Sequence, residues 1–321
     1  MVPERSLIDR FASDLEAFIA PDTRIGVAVS GGPDSLALLL IAAAARPGFV
    51  EAATVDHALR PGSRAEAEMV ARMCEQLGVP HTILTARWNG NPQTAIQERA
   101  RNERYRLLGY WADERGLGAV ATAHHADDQA ETLLMRLSRG SGVRGLSGMR
   151  PRSVTPGSHV RLIRPLLAWR RSELQQICDD AGVTPAHDPS NEDTRFERVR
   201  IRRALAGADW LDPAAVARSA AHLAEADGAL DWAMKAEWKQ AIRESGDSIV
   251  YRVSETPREI LRRIVARAIR RLATEGESEL RGSELDRLLK TLGEGGTATI
   301  RGVLCRGGRP EWRFSRAPAR S

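Results

Sequence analysis

The sequence predicts an α/β protein: a parallel sheet with helices on both faces, followed by a small, mainly helical C-terminal domain. Three observations carry this. Short apolar, β-branched runs at 25–29, 50–55, 81–84 and 119–123 alternate with longer stretches of helical periodicity. These runs are apolar throughout, as expected for parallel strands buried on both sides. From residue 204 the composition turns to Ala, Glu and Arg at helical spacing, after a break at 208–213 that holds Trp210 and Pro213. The boundary is therefore placed between 1–207 and 208–321.

The elements follow in order. Residues 6–19 carry Leu7, Ile8, Phe11, Leu15, Phe18 and Ile19 at helical spacing, closed by Pro21. The first strand, 25–29, runs into the polar turn Ser30-Gly31-Gly32-Pro33-Asp34-Ser35. A helix at 36–45 follows, with Asp34 or Ser35 as the expected cap. The second strand, 50–55, leads to Asp56 and His57. Ser63 opens a helix over 63–77, with Glu66 as its capping-box partner. Gly78 and Pro80 stop that helix before the third strand, 81–84. A loop at 88–93 precedes a long helix, 94–116, where Arg99, Arg101, Arg104 and Arg106 surround Tyr105. Those charges read equally well as a ligand-facing set or as a solvated face.

The fourth strand, 119–123, ends in His124-His125-Ala126-Asp127-Asp128-Gln129-Ala130-Glu131-Thr132, with a helix at 133–137. A glycine loop bearing arginines follows at 139–149, then a short strand at 161–167 and a helix at 172–181. A turn is expected at 187–191 and an arginine-dense helical start at 195–203. Beyond the boundary, 214–244 reads as one long helix or a helical pair, and 256–272 and 278–292 as helices. A strand pair, 297–303 and 311–314, closes the chain. The tryptophans are expected in cores.

Composition bounds the function. The chain has 321 residues, 42% of them hydrophobic and 28% charged, as in a soluble globular protein. No apolar run is long enough to span a bilayer, and Glu4, Arg5 and Asp9 argue against a signal peptide. Cys74, Cys178 and Cys305 are far apart and form no Cys-x-x-Cys pair. A reduced, cytoplasmic protein without a zinc or iron–sulfur site is expected. The net charge is only +5, but arginines recur from Arg136 to Arg203. Their planar forks suit phosphate, so RNA fits as a partner, and a solvated basic surface fits equally.

Two stretches carry chemistry. A strand, a glycine turn and a helix N-terminus at 25–35 form an anion site: backbone N–H groups and the helix dipole point at one place. The Walker pattern would need a lysine that this loop lacks, and the dinucleotide fingerprint is absent too. The second stretch packs two histidines and three carboxylates where a strand hands over to a helix, at 124–132. Spacing of four stacks His124 over Asp128 and sets Asp127 near Glu131. Such a group suits Mg²⁺ binding or proton transfer, and zinc less well, having no third His or Cys.

Ser-Gly-Gly-x-Asp-Ser at 30–35 resembles the signature of the PP-loop ATP pyrophosphatases, which split ATP between its α and β phosphates. Together with Val55-Asp-His-Ala-Leu-Arg60, Ala100-Arg-x-x-Arg104-Tyr105, His124 to Thr132, Arg164-Pro-Leu-Leu167 and Asp188-Pro-Ser-Asn191, it is similar to the tRNA(Ile)-lysidine synthases over the first two-thirds of the chain. The resemblance implies a Rossmann-like, adenine nucleotide alpha hydrolase-like PP-loop domain and a C-terminal tRNA-binding accessory domain. It implies that ATP adenylates C2–O of the wobble cytidine, position 34, of the isoleucine tRNA with a CAU anticodon. L-lysine then displaces AMP, and decoding changes from AUG to AUA.

Carried onto this sequence, the resemblance places ATP at Ser30, Gly31, Gly32, Pro33, Asp34, Ser35, Asp56 and His57, with Mg²⁺ at Asp34. It implies Asp34, His124, Asp128 and Glu131 as catalytic, and Arg101, Arg104, Asp127, Arg198 and Arg202 as tRNA- or substrate-binding. A homodimer is left open, and no membrane partner is expected. Ala58 and Ala123 stand where the family often has Gly, and Val199 where it has Asn. The rivals are a tRNA thiolase, which would need paired cysteines, an amide synthetase, which would need an ammonia supply, and a non-catalytic RNA-binding relative.

Overall fold

The computed structural model describes residues 2–58, 62–88, 96–155, 157–186, 193–273 and 280–318. The 88–93 loop lies largely outside them, and the 187–191 turn entirely so. The chain forms two compact units, 1–140 with 145–221, and 141–144 with 222–321. The division falls inside a helix rather than at 207/208. Val216 and Ala220 are the reason: both are buried, and Ala220 Cβ lies 3.3 Å from where a Cβ on Gly148 would stand.

In the first unit the elements run α1 (Arg5–Glu16), β1 (Ile25–Ala28), α2 (Pro33–Ala45), β2 (Val50–Asp56), α3 (Ser63–Leu77), β3 (His81–Thr85), α4 (Ile96–Glu114), β4 (Ala119–Ala121), α5 (Ala126–Leu137), α6 (Val143–Leu146), β5 (Arg152–Val154), β6 (Arg161–Ile163), α7 (Arg171–Asp180) and α8 (Glu197–Ala206). Helix α6 is divided between the two units at 144/145, and helix α9 (Pro213–Ala241) begins in this unit and runs into the second. The sheet order is β3-β2-β1-β4-β6-β5, parallel except for β5. The chain winds outward from β1 to β3, then returns to β4 on the other side of β1. The β1/β4 border is thus the topological switch point, where ligands sit beyond the strands' carboxyl ends.

One face of the sheet is covered by α1, α2, α3 and α7. Phe11, Leu15, Leu36 to Ala42, Val70, Trp169 and Ile177 form that core. The other face is covered by α4 through Tyr105, Leu108, Trp111 and Ala112. Helix α2 is apolar on every side because it lies under α1 and α7 as well as on the sheet.

Several local expectations change. Gly32, not Asp34 or Ser35, is the N-cap of α2, and Pro33 takes its first position. Gly62 caps α3, so Ser63 and Glu66 form no capping box. Helix α5 starts seven residues before the expected 133, at Ala126, because its first two turns carry polar groups that face the site rather than an apolar stripe. The 139–149 loop contains α6 and is tied down by Gln129, which bonds both the carbonyl and the amide of Met149. Strand β5 was not legible, its burial being slight.

The second unit is helical in larger part and also carries a sheet that the sequence showed only as a strand pair. It adds β7 (Ile242–Ser245), β8 (Ser248–Arg252), α10 (Arg258–Leu272), α11 (Gly282–Gly293), β9 (Thr297–Ile300), β10 (Val303–Arg306) and β11 (Glu311–Arg316). Among the described residues these strands form a five-stranded antiparallel sheet, β7-β8-β11-β10-β9. Ile249, Tyr251, Val303, Cys305, Trp312 and Phe314 share one core with Ile264, Val265, Leu288 and Leu292 of α10 and α11. Buried Arg263 pins α10 to α9 through Asp227 and Asp231, each at 2.6 Å. The region 214–244 resolves as one helix followed by β7. Trp111, Trp169, Trp238 and Trp312 are core residues, but Trp210 and Trp232 are 80% and 74% exposed, against expectation. No helix among the described residues is long and apolar enough to cross a membrane.

Candidate active site

The loop after β1 is shaped by backbone. Gly31 has φ +86°, a left-handed conformation that disfavours a side chain, and its carbonyl accepts from Ala186 N–H at 2.9 Å. Ser35 Oγ accepts from Ser30 N–H at 3.1 Å and donates to the Gly32 carbonyl at 2.9 Å. Ser35 thereby holds the turn closed. The first-turn amides of α2 have no intrahelical acceptor and face an incoming anion.

The carboxyl end of β4 supplies the partner. His125 is the N-cap of α5 and is wholly buried. Its Nε2 lies 3.5 Å from Oδ2 of Asp34 and 3.5 Å from Oδ2 of Asp128, and its Nδ1 lies 3.5 Å from Oδ2 of Asp127. Burial by itself would depress the imidazole pKa. Asp127, Asp34 and Asp128 outweigh it and raise the pKa to about 9. The ring is an imidazolium among three carboxylates. Burial pushes Asp128 upward from the usual carboxylate range. Asp127 goes far below it: burial opposes the shift, but His125, the Arg171 amide and the Arg170 guanidinium prevail.

This corrects the spacing argument. His124 precedes the helix, so it does not stack over Asp128; His125 pairs with Asp128 instead. Asp127 and Glu131 meet through Arg171, which donates its amide to Asp127 at 2.8 Å and its guanidinium to Glu131 at 3.4 Å. Glu131 is 1% exposed and is enclosed by arginines: Arg202 at 2.8 Å, Arg171 at 3.4 Å and Arg198 at 3.7 Å. Helix α8 thus docks on α5 through charge, and its Val199 is buried.

A cationic group adjoins these carboxylates. The guanidinium carbons of Arg101 and Arg104 each lie 5.1 Å from the Tyr105 ring centroid. Burial would raise the phenol pKa, but Arg104, Arg101 and Arg164 bring it down. His124 sits at Thr122 Oγ1, 3.0 Å away, and its pKa falls well below normal through burial and then through Arg164, Arg104, Arg101 and Arg198. His57 is also held neutral, by burial and Arg104, and its buried Nδ1 has no partner among the described residues. Asp56, in contrast, is engaged by its own turn. Ser63 Oγ donates to it at 2.6 Å and the Ala58 amide at 2.9 Å, which keeps its pKa low.

The structure brings Asp34, Asp127, Asp128 and Glu131 together with Arg198 and Arg202, and sets His57, Arg101, Arg104 and His124 among the arginines. The residues assigned to the site from sequence left out His125, Arg171, Arg164 and Tyr105, although His125, Arg164 and Tyr105 stood in the motifs. His125 was half of a visible pair, and helical spacing chose the other member. Among the described residues the buried Oδ1 of Asp34 has no hydrogen-bond partner, which fits a carboxylate reserved for a cation. Cys74, Cys178 and Cys305 are buried and unpaired, and burial lifts their thiols to about 12, 11 and 12, which removes a thiolate chemistry.

Comparison with known proteins agrees with the geometry. A PP-loop domain family matches residues 5–208. The chain is 49% identical over 310 residues to a tRNA(Ile)-lysidine synthase of Novosphingobium aromaticivorans, covering 96% of this chain and 93% of that one. It is 44% identical to that of Zymomonas mobilis, covering 92% and 89%, and 40% identical to that of a Bradyrhizobium species, covering 96% and 95%. Among solved structures, the U34-tRNA thiolase NcsA of Methanococcus maripaludis with its [4Fe-4S] cluster superposes with a TM-score of 0.56 at 15% identity, over 68% of this chain and 78% of that one. That likeness is one of fold.

Proposed function

The chain belongs to the tRNA(Ile)-lysidine synthases, and from that premise we propose how its residues divide the reaction. It is a PP-loop, ATP-using, tRNA-modifying ligase. C2–O of the wobble cytidine attacks the α-phosphorus of ATP, and pyrophosphate leaves. The side-chain nitrogen of lysine then attacks C2, the C2–O bond breaks, and AMP departs with that oxygen. The amine gives up a proton to a base.

The carrying observation is the 3.5 Å approach of His125 to Asp34, which joins the phosphate loop to the α5 carboxylates across the β1/β4 switch point. It supports a single crevice in which nucleotide and second substrate meet. The 30–35 turn and the first-turn amides of α2 receive the leaving pyrophosphate. Asp34 would hold Mg²⁺, which when bound offsets phosphate charge. His125 keeps Asp34 and Asp128 aimed into the crevice. Asp128, with its raised proton affinity, suits the base that relieves lysine of its proton.

Glu131 takes a different part from the catalytic one its motif suggested. Three arginines within 3.7 Å neutralise it, so it positions Arg198, Arg202 and Arg171 rather than accepting a proton. Arg101, Arg104 and Arg164 offer charge to the phosphates of AMP or RNA, and neutral His57 and His124 offer hydrogen bonds to a base. Residues 222–321 act as the tRNA-binding accessory part, and a reduced, cytoplasmic setting suits the three unpaired thiols.

The test is transfer of labelled lysine to the CAU-anticodon isoleucine tRNA by purified protein with ATP and Mg²⁺. Lysine incorporation at the wobble position is expected. No incorporation into a tRNA that a characterised lysidine synthase accepts would sink the reading.

A further inference from the structure

We propose that the helix-free face of the five-stranded sheet in the second unit is a docking surface for the phosphates of an RNA stem. The proposal rests on the reading that the substrate is a tRNA. It names the surface, which no catalytic argument reaches.

Side chains alternate along a strand, so each strand divides its residues between two faces. Ile249, Tyr251, Val303, Cys305, Trp312 and Phe314 point to the helices and are buried. Their neighbours point the other way and remain partly or fully accessible. The register lines these up. Arg243 pairs with Val250, Val250 with Arg313, Arg313 with Arg306, and Arg306 with Thr297. One row across the sheet therefore carries three arginines, all exposed. At ~4.8 Å per strand, Arg243 to Arg306 spans about 14 Å, enough to meet more than one phosphate.

Two features distinguish this row from an ordinary solvated face. Arg306 and Arg313 stand directly opposite each other, and like charges so placed destabilise a sheet. The countercharge is also scarce. Arg243 and Arg313 share the single carboxylate of Glu311, and Arg252 stands opposite the same residue. Among the described residues Arg306 and Arg252 have no acidic partner. A polyanion would complete the arrangement.

The next row on the same face carries four hydroxyls, Ser245, Ser248, Ser315 and Thr299, with Leu304 between the last two. Hydroxyls and arginines together are the usual donors to phosphate oxygens. The aromatic side chains of these strands, Tyr251, Trp312 and Phe314, all turn inward, so the face has no platform for stacking bases. Contact with the sugar–phosphate backbone follows, without reading of sequence.

The experiment is equilibrium binding of full-length protein to the CAU-anticodon isoleucine tRNA over a salt series, with lysine transfer measured alongside. The variants are Arg243→Ala/Arg306→Ala/Arg313→Ala and the matching triple lysine protein. The alanine triple is expected to weaken binding roughly tenfold near 0.1 M salt and to reduce the salt slope by about 2 to 3, with the lysine triple close to wild type. The same loss is expected for the methionine tRNA with that anticodon, since no base is read. Unchanged affinity and slope in the alanine triple overturns the proposal, as does a lysine triple as impaired as the alanine one. Failure of lysine transfer by the wild type bears on the enzymatic reading instead, because the binding comparison judges the surface by itself.

Discussion

His125 Nε2 lies 3.5 Å from Asp34 Oδ2, so a buried imidazolium links the loop after β1 to the helix after β4. The ring's pKa, about 9, stands above the ~6.5 of an unfolded chain. Its contribution to stability is therefore complete below pH 6.5 and is lost as pH rises through about 9. His125→Gln in metal-free buffer is expected to flatten the fall of stability across that window relative to wild type. Urea midpoints measured at both ends check it, and equal slopes for the two proteins would count against a charged ring.

Asp34 has one buried oxygen without a hydrogen-bond partner among the described residues, and its other oxygen lies 3.5 Å from His125. Asp34→Asn keeps the shape and removes the charge. ATP–pyrophosphate exchange is expected to fall by ~100-fold or more, while tRNA affinity stays within about twofold, since the residue serves the nucleotide alone. Parallel loss of both in filter binding and exchange assays would make Asp34 structural.

Glu131 is the shared acceptor of Arg171, Arg198 and Arg202. Glu131→Gln takes the shared charge away from three partly exposed arginines and is expected to cost about 1 to 3 kcal/mol of stability in the first unit, read from urea unfolding. The KM for tRNA should rise while the pH profile of lysine transfer keeps its shape. A stable variant with normal KM and no transfer would instead identify Glu131 as the proton acceptor.

Ala58 adopts φ +51°, a left-handed conformation in the turn that Asp56 organises. Relief of roughly 1 to 2 kcal/mol of backbone strain on Ala58→Gly is offset by about 0.5 to 1 kcal/mol of added unfolded-chain entropy. The variant should be as stable as wild type or slightly more so, where an ordinary Ala→Gly exchange in a helix would destabilise. A clear drop in the urea midpoint would contradict the strain.

Much of the first unit was legible because its signals are local. Apolar runs marked β1 to β4, and the missing lysine in the 30–35 turn separated this loop from a Walker site. The C-terminal sheet was not legible in full. Strands β7 and β8 follow directly on a long Ala/Glu-rich helix, and their alternation is short enough to pass for its continuation. Helical spacing misassigned the histidine pair for a related reason: the rule holds only inside a helix, and α5 begins after His125.

By itself, the sequence determined the strand–turn–helix units, the anion-binding loop and the chemical types gathered at 124–132, because backbone preference and burial pattern are written within a few residues. The tertiary structure alone decided which groups meet. Placing β4 beside β1 set His125 against Asp34, docking α8 on α5 enclosed Glu131 in arginines, and strand register put Arg306 opposite Arg313. Those pairings depend on crossovers and packing between distant segments, and no local periodicity encodes them.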